Sequence, residues 1–291
     1  MKRSFYLSII FLILVLPSIG FGEDEILIGL IPEENIFRQM DRYRPLASYL
    51  SKKINANVRL TILSRYGDII DRFISRRMDG AFFGVFTSVL AMEKLGVEPL
   101  VRPVNIDGSS TSQAYVFARR DSGIKDIKDM RGKRMAFVDR ATATGYLYFL
   151  ALLKDGGFSG PDSFFREYYF TGSHDAAVHA VMDNRADLGI AKAKIFNKLI
   201  EKDSFLRNEL VVLYKSPDFP DTTLCLKKEL PEITKRKIKD ALLNMDKDSE
   251  GVTVLKKFGA IKFIPAEKKD FKQFLDIVRK TGIDIRNYKY R

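Results

Sequence analysis

The chain predicts an α/β fold of two lobes, with mixed, mainly parallel sheets flanked by helices and a helical C-terminal tail. Three observations carry this expectation. Short apolar runs alternate with amphipathic stretches in strand–helix–strand order, which lays helices over a largely parallel sheet. The alternation runs through two cycles, over residues 26–104 and 113–214. Beyond Pro217-Asp-Phe-Pro220 the pattern turns mostly helical.

In the first cycle, Ile26 to Ile31 is an apolar strand. Asp41 to Ile54 reads as an amphipathic helix with Leu46, Leu50 and Ile54 on one side, begun so that Pro45 falls in its first turn, where proline is tolerated. Val58 to Leu63 alternates as a strand, and Tyr66 to Met78 follows as a helix. Gly80 to Gly84 is a compact buried strand, Phe86 to Leu95 a helix, and Pro99 to Val104 an extended run. In the second cycle, Gln113 to Arg119 is a strand and Ile127 to Arg134 a short helix and turn. Met135 to Val138 is a strand that ends in a loop opening the helix over Tyr146–Leu153. Phe164 to Phe170 is a strand, and Gly172-Ser-His-Asp175 opens a helix reaching Asp183. Asp187 to Ala191 is a strand, Ile195 to Lys202 a helix, and Leu210 to Tyr214 extended. Helices over 231–243, 251–258 and 267–279 complete the tail. The expected domains are residues 23–113 with 215–291 as a discontinuous first lobe and 114–214 as the second. Crossings fall near Ser112–Val116 and Leu213–Ser216, and the tail returns to the first lobe.

Residues 1–22 read as a secretory signal. Lys2 and Arg3 precede an apolar core, Phe5 to Leu16, of signal length, and Gly20 and Gly22 supply small residues for cleavage. An uncleaved N-terminal anchor is the other reading. Loss of Lys2 and Arg3 with the signal leaves +10 of the +12 net charge. Cys225 is the only cysteine, so no intramolecular disulfide forms, and an exported chain without disulfides suits a bacterial periplasm. The positive charge is spread over Lys227-Lys228, Lys235-Arg236-Lys237, Lys256-Lys257 and Lys268-Lys269, all within helical patterns that also hold acids. Such pairs belong to solvated faces and give a mild field that attracts anions. No nucleic-acid motif accompanies them, so no nucleic-acid partner is expected.

The loop Ala141-Thr-Ala-Thr-Gly145 carries the chemistry. A helix N-terminus presents N–H groups without internal partners and a partial positive charge. Thr142 and Thr144 add hydroxyl donors, and Gly145 lets the backbone approach a ligand closely. Together they suit a small oxyanion. A plain helix N-cap by Thr142 or Thr144 is the alternative.

Four segments carry a family resemblance. They are Gly29-Leu-Ile-Pro32 with Tyr43-Arg-Pro-Leu-Ala-Ser-Tyr-Leu50; Met78-Asp-Gly-Ala-Phe-Phe-Gly84; Asp126-Ile-Lys-Asp-Met-Arg-Gly-Lys-Arg-Met-Ala-Phe-Val-Asp139; and Gly172-Ser-His-Asp-Ala-Ala177 with Ala186-Asp187. In this order the chain resembles the periplasmic phosphate, phosphite and phosphonate-binding components of ABC transporters, which have the type II solute-binding fold. The resemblance implies that Thr142, Ala143, Thr144 and Gly145 occupy the loop that holds phosphoryl oxygens, usually S-T-S-G in the family. Ala143 then lacks one hydroxyl, a loss on the order of 1 kcal/mol. It implies that His174 donates to the same anion and that protonation helps it; packing at a helix start is the other reading for this residue. In the first lobe the nearest aromatics are Phe37 and Phe86, with Thr87 and Ser88 as polar contacts. Some relatives hold a ligand ammonium with acids. The first such position falls near the basic stretch Lys192–Lys194, and Asp221 lies in the second region. The resemblance therefore implies a fully anionic ligand rather than an aminoalkylphosphonate.

The implied function is capture of a phosphorus oxyanion in the interlobe cleft and delivery to ABC permease subunits. The membrane is met only through the permease, and no cofactor or metal takes part. The alternative is a periplasmic ligand-sensing input for a membrane receptor or histidine kinase. No nucleophile elbow, metal cluster or P-loop points to an enzyme.

Overall fold

The computed structural model describes residues 25–290. The expected signal over residues 1–22 lies outside the described residues. Among the described residues there are thirteen strands: β1 (Glu25–Leu30), β2 (Asn57–Ile62), β3 (Gly80–Phe83), β4 (Glu98–Asn105), β5 (Thr111–Ser112), β6 (Ala114–Arg119), β7 (Arg134–Phe137), β8 (Glu167–Phe170), β9 (Leu188–Lys192), β10 (Leu210–Lys215), β11 (Phe219–Pro220), β12 (Thr223–Leu226) and β13 (Ala260–Pro265). One sheet has the order β13-β4-β12-β3-β1-β2 and the other β10-β6-β9-β7-β8. Both are mixed. β1 runs parallel to β2 and β3, and β7 parallel to β8 and β9, while β12, β13, β6 and β10 pair antiparallel. The fold is the two-sheet α/β arrangement expected, with helices on the sheets, but the sheets are evenly mixed rather than mainly parallel: five of their nine neighbouring strand pairs are antiparallel, because β4, β12 and β13 join the first sheet and β6 and β10 the second in that sense.

The two connections between the sheets lie side by side. β5 pairs with β11 antiparallel, the Ser216 hydroxyl accepts from the Ala114 N–H at 2.8 Å, and the Ser216 N–H donates back to the Ala114 carbonyl.

Several elements differ from expectation. The first helix spans Ile36–Ile54, because the Asn35 side chain accepts from the N–H groups of Phe37 and Arg38 and starts it earlier. Pro45 therefore sits inside the helix and removes one bond to the carbonyl four residues back. The segment 127–134 forms turns rather than a helix. The Asp126 carboxylate accepts the Lys128 N–H, and Asp129 accepts those of Lys125 and Asp126, which offers the backbone an alternative to helical bonds. The tail contains two strands that periodicity missed. β12 is only four residues, all buried, and lies between β3 and β4, where both faces are covered. β13 is an edge strand ending in Pro265. The C-terminal helix, Lys272–Thr281, packs against the helix Tyr148–Asp155 of the second sheet. Its Phe274 ring meets both Phe86 and Phe219.

Candidate functional site

The C-terminal ends of β1, β3, β7, β8 and β9 converge, as binding sites in α/β folds commonly require. Between them lies a cavity of about 30 Å³. The first sheet contributes Glu33, beyond β1, and Gly84 to Phe86, beyond β3. The second contributes residues 141–144 beyond β7, His174 beyond β8 and Lys192 at the end of β9. Tyr66, Ser112, Phe219, Pro220 and Thr222 complete the wall. The two sides touch around it. The His174 N–H donates to the Glu33 carbonyl at 3.2 Å, the Asn35 N–H to Asp175 at 3.0 Å, and Arg38 pairs with Asp175 at 2.6 Å.

One end of the cavity is lined by uncharged donors. After Thr142 the chain enters a wide turn, Ala143–Leu147, continuous with the helix Tyr148–Asp155. Its first ladder bond runs from the Leu147 N–H to the Thr142 carbonyl, 3.1 Å, so the N–H groups of Ala143 to Tyr146 precede the helix's own ladder. Thr144 is buried beside them, and its hydroxyl bonds no group among the described residues. The Tyr66 and Ser112 hydroxyls are likewise buried without a partner among the described residues. Burial raises the Tyr66 phenol well above its ordinary value, which keeps its proton available for donation.

His174 begins the helix His174–Met182 and is 2% exposed. Its Nδ1 accepts the Lys192 N–H at 3.0 Å, which leaves the proton on Nε2. Burial pushes its pKa down to about 3. The imidazole is therefore neutral, not the protonated donor the resemblance implied, because no carboxylate reaches it closely enough to offset desolvation.

The other end is ionic. Lys192 Nζ lies 2.5 Å from Asp221, 2.7 Å from Glu33 and 2.9 Å from the Thr222 hydroxyl, which itself donates to Glu33 at 2.7 Å. Side-chain exposures of Lys192, Glu33 and Asp221 are 8%, 7% and 2%. Burial alone would raise the Glu33 and Asp221 carboxyls, but Lys192 outweighs it and both sit below their ordinary range. Burial likewise opposes the Lys192 charge, and the two carboxylates overcome it.

The sequence-predicted residues divide accordingly. Thr142, Ala143, Thr144, His174 and Phe86 line the cavity. Gly145, Thr87 and Asp221 do not. The Thr142 hydroxyl donates to the Asp139 carbonyl at 2.6 Å, so it braces the turn and is not the free donor expected. A Cβ on Gly145 would lie 2.5 Å from the Val138 Cβ and 2.7 Å from the Thr142 hydroxyl, so this glycine serves packing against the strand end rather than ligand approach. Thr87 donates to the Gly84 carbonyl at 3.1 Å, within its own helix start. Asp221 lies behind Lys192. Phe37 is 77% exposed, outside the cavity. Glu33, Tyr66, Ser112, Lys192 and Thr222 also form the wall, without a local sequence pattern that marks them for it. Among the described residues no group of three or more His, Cys, Asp or Glu is arranged to hold a metal, and no helix is long and apolar enough to cross a membrane.

Residues 28–271 match the family described as ABC transporter, phosphonate, periplasmic substrate-binding protein. The chain is 31% identical over 206 residues to the phosphate-import protein PhnD of Mycolicibacterium smegmatis, a match covering 68% of this chain and 64% of that relative's length. It is 24% identical over 290 residues to a probable ABC transporter phosphite binding protein, PhnD1, of Prochlorococcus marinus, covering 96% and 98% of the two. Among solved structures, a binding protein component of an ABC phosphonate transporter from Pseudomonas aeruginosa superposes with a TM-score of 0.82 at 19% identity, over 89% of this chain and 87% of that one. PhnD1 from Prochlorococcus marinus, solved in complex with methylphosphonate, gives 0.80 at 21%, over 89% and 98%. These structural likenesses establish the type II fold.

Proposed function

The chain belongs to the periplasmic substrate-binding proteins of ABC phosphonate transporters, and from that premise we propose that it captures a small phosphorus oxyanion in the cavity between its two sheets and delivers it to ABC permease subunits. The relatives are substrate-binding transport proteins, not enzymes. The observation that carries the ligand reading is the convergence of unpaired, uncharged donors on one small space. They are the N–H groups at the start of the turn after Thr142, the Thr144, Tyr66 and Ser112 hydroxyls, and Nε2 of a neutral His174. Such donors stabilise an oxyanion without an opposing charge to neutralise. The relatives are named for phosphate and phosphite, and one was solved with methylphosphonate, all small oxyanions of the kind such donors suit.

In this reading residues 23–113 with 215–291 form the first lobe and 114–214 the second, with the helix Lys272–Thr281 reaching across to the helix Tyr148–Asp155 of the second, and residues 1–22 are a signal cleaved on export to the periplasm. The distribution of strands between the sheets supports the first statement, and the family's periplasmic location the second.

Calorimetry and thermal shift with phosphate, phosphite, methylphosphonate, 2-aminoethylphosphonate and sulfate test the reading. A ligand at a hundredfold excess over its Kd stabilises by about 2.7 kcal/mol. Absence of a shift with every phosphorus oxyanion would refute it.

A further inference from the structure

The basic stretch near Lys192 suggests only that an amine-bearing ligand is unwelcome. The structure is more specific. Lys192 extends from the end of β9 in the second sheet, yet every partner of its ammonium lies on loops of the first: Glu33 beyond β1, and Asp221 and Thr222 before β12. These three oxygen-bearing groups form a receptor of the kind that recognises any primary ammonium, with hydrogen bonds at 2.5–2.9 Å.

The receptor opens on the anion cavity. A second cavity, of about 10 Å³, lies on the far side of Lys192 and is lined by Asp221, Arg42, Tyr43 and Lys194. The two cavities share Glu33, Lys192 and Thr222 as walls. The lysine side chain stands between them together with Glu33 and Thr222, and its shortening is expected to widen the passage from one void to the other. The aminoethyl tail of 2-aminoethylphosphonate has one heavy atom fewer than the stretch from Cγ to Nζ that such a change removes.

We propose that Lys192 is a tethered ammonium occupying a cation subsite built from Glu33, Asp221 and Thr222, and that this occupancy, rather than the absence of such a subsite, excludes aminoalkylphosphonates. The proposal rests on the reading of the adjoining cavity as a phosphorus-oxyanion site. Lys192 is then a specificity-determining residue. The protein's own cation satisfies both carboxylates, and a ligand ammonium finds neither room nor unpaired charge.

Calorimetry on the full chain, with methylphosphonate and 2-aminoethylphosphonate, provides the test. Wild type is expected to bind methylphosphonate at least a hundredfold more tightly than 2-aminoethylphosphonate. Lys192→Ala is expected to move that ratio at least a hundredfold toward the amine. Lys192→Met, which keeps most of the bulk but not the charge, is expected to show no such gain. Ethylammonium is expected to raise the melting temperature of Lys192→Ala and not that of wild type. A folded Lys192→Ala protein without gain for the amine overturns the proposal, as does a wild type that binds both ligands equally, which decides the matter even where the alanine variant does not fold. A wild type that binds no phosphorus oxyanion brings down the anion reading and this inference with it. A wild type that binds methylphosphonate while Lys192→Ala shows no gain brings down this inference alone.

Discussion

The two ends of the cavity are built on opposite principles. At one end the polar groups are neutral and left unpaired by the protein: backbone N–H groups after Thr142, the Thr144, Tyr66 and Ser112 hydroxyls, and the His174 Nε2–H. At the other end every group is charged or tied to a charge, and Lys192, Glu33, Asp221 and Thr222 are closed upon one another. The difference follows from cost. An unsatisfied neutral donor in a buried site costs about 1–3 kcal/mol. A buried charge left without its partner costs about 3–5 kcal/mol. A protein can therefore hold neutral donors ready for a ligand, whereas its buried charges must be satisfied internally.

This contrast breaks most readily at the ionic end. Lys192→Met should destabilise the ligand-free protein by about 3–5 kcal/mol in urea unfolding, since two buried carboxylates lose their cation. A loss under 1 kcal/mol would show that the cluster is hydrated or dispensable. Gly145→Ala should come next, at about 1–3 kcal/mol, as the loop shifts away from Val138, and anion affinity should fall with it.

His174→Gln should weaken anion binding about tenfold, the equivalent of roughly 1.4 kcal/mol. Because the ring is neutral, wild type and variant should share one pH profile of binding between pH 6 and 8. A midpoint near 6.5 in wild type alone would mean that the ring binds as a cation. The same residue affects stability in acid. Below its unfolded value of 6.5 the unfolded chain takes up a proton that the folded protein refuses until about pH 3. Its contribution is therefore complete above pH 6.5 and declines as pH falls toward 3. Unfolding of wild type and His174→Gln at pH 5 and 7 would show this as a shrinking difference.

The smallest effects separate the hydroxyls of the loop. Ala143→Ser places a hydroxyl on the cavity wall and should tighten binding by up to about 1 kcal/mol. Thr144→Val should weaken anion binding severalfold at unchanged stability. Thr142→Val should instead lower stability, because its hydroxyl braces the Asp139 carbonyl. Calorimetry paired with urea unfolding distinguishes the two threonines.

The neutral end was the more legible in sequence because it is local. A strand, a run of small hydroxylated residues and a helix start lie within a dozen positions, and helix ends expose N–H groups wherever they occur. What the sequence did not reveal there was which hydroxyl turns inward, since Thr142 and Thr144 look alike until Asp139 claims one of them. The ionic end is assembled from positions 33, 192, 221 and 222. Glu33 lies in the short polar segment Pro32-Glu-Glu-Asn35, and its burial depends on Lys192 and His174 arriving from the opposite sheet, which no local pattern foretells. Lys192 reads as one more basic residue in a basic stretch. Tyr66 reads as part of a helix that in fact begins at Asp68. In the fold, the long alternations were readable, whereas β12 was too short for any period and is specified by its neighbours β3 and β4.

Gly145 gives the loop two kinds of position. Its contact with Val138 fixes the stem, and any side chain there is paid for in displaced backbone. The side chains of Ala143 and Thr144 stand on that stem at the cavity wall, with the strand beneath them unaffected by what they carry. The tip can thus be re-equipped, with hydroxyl, methyl or amide, while its mounting stays constant. That separation makes this stretch the natural place to retune which oxyanion the protein retains without redesigning the sheet that supports it.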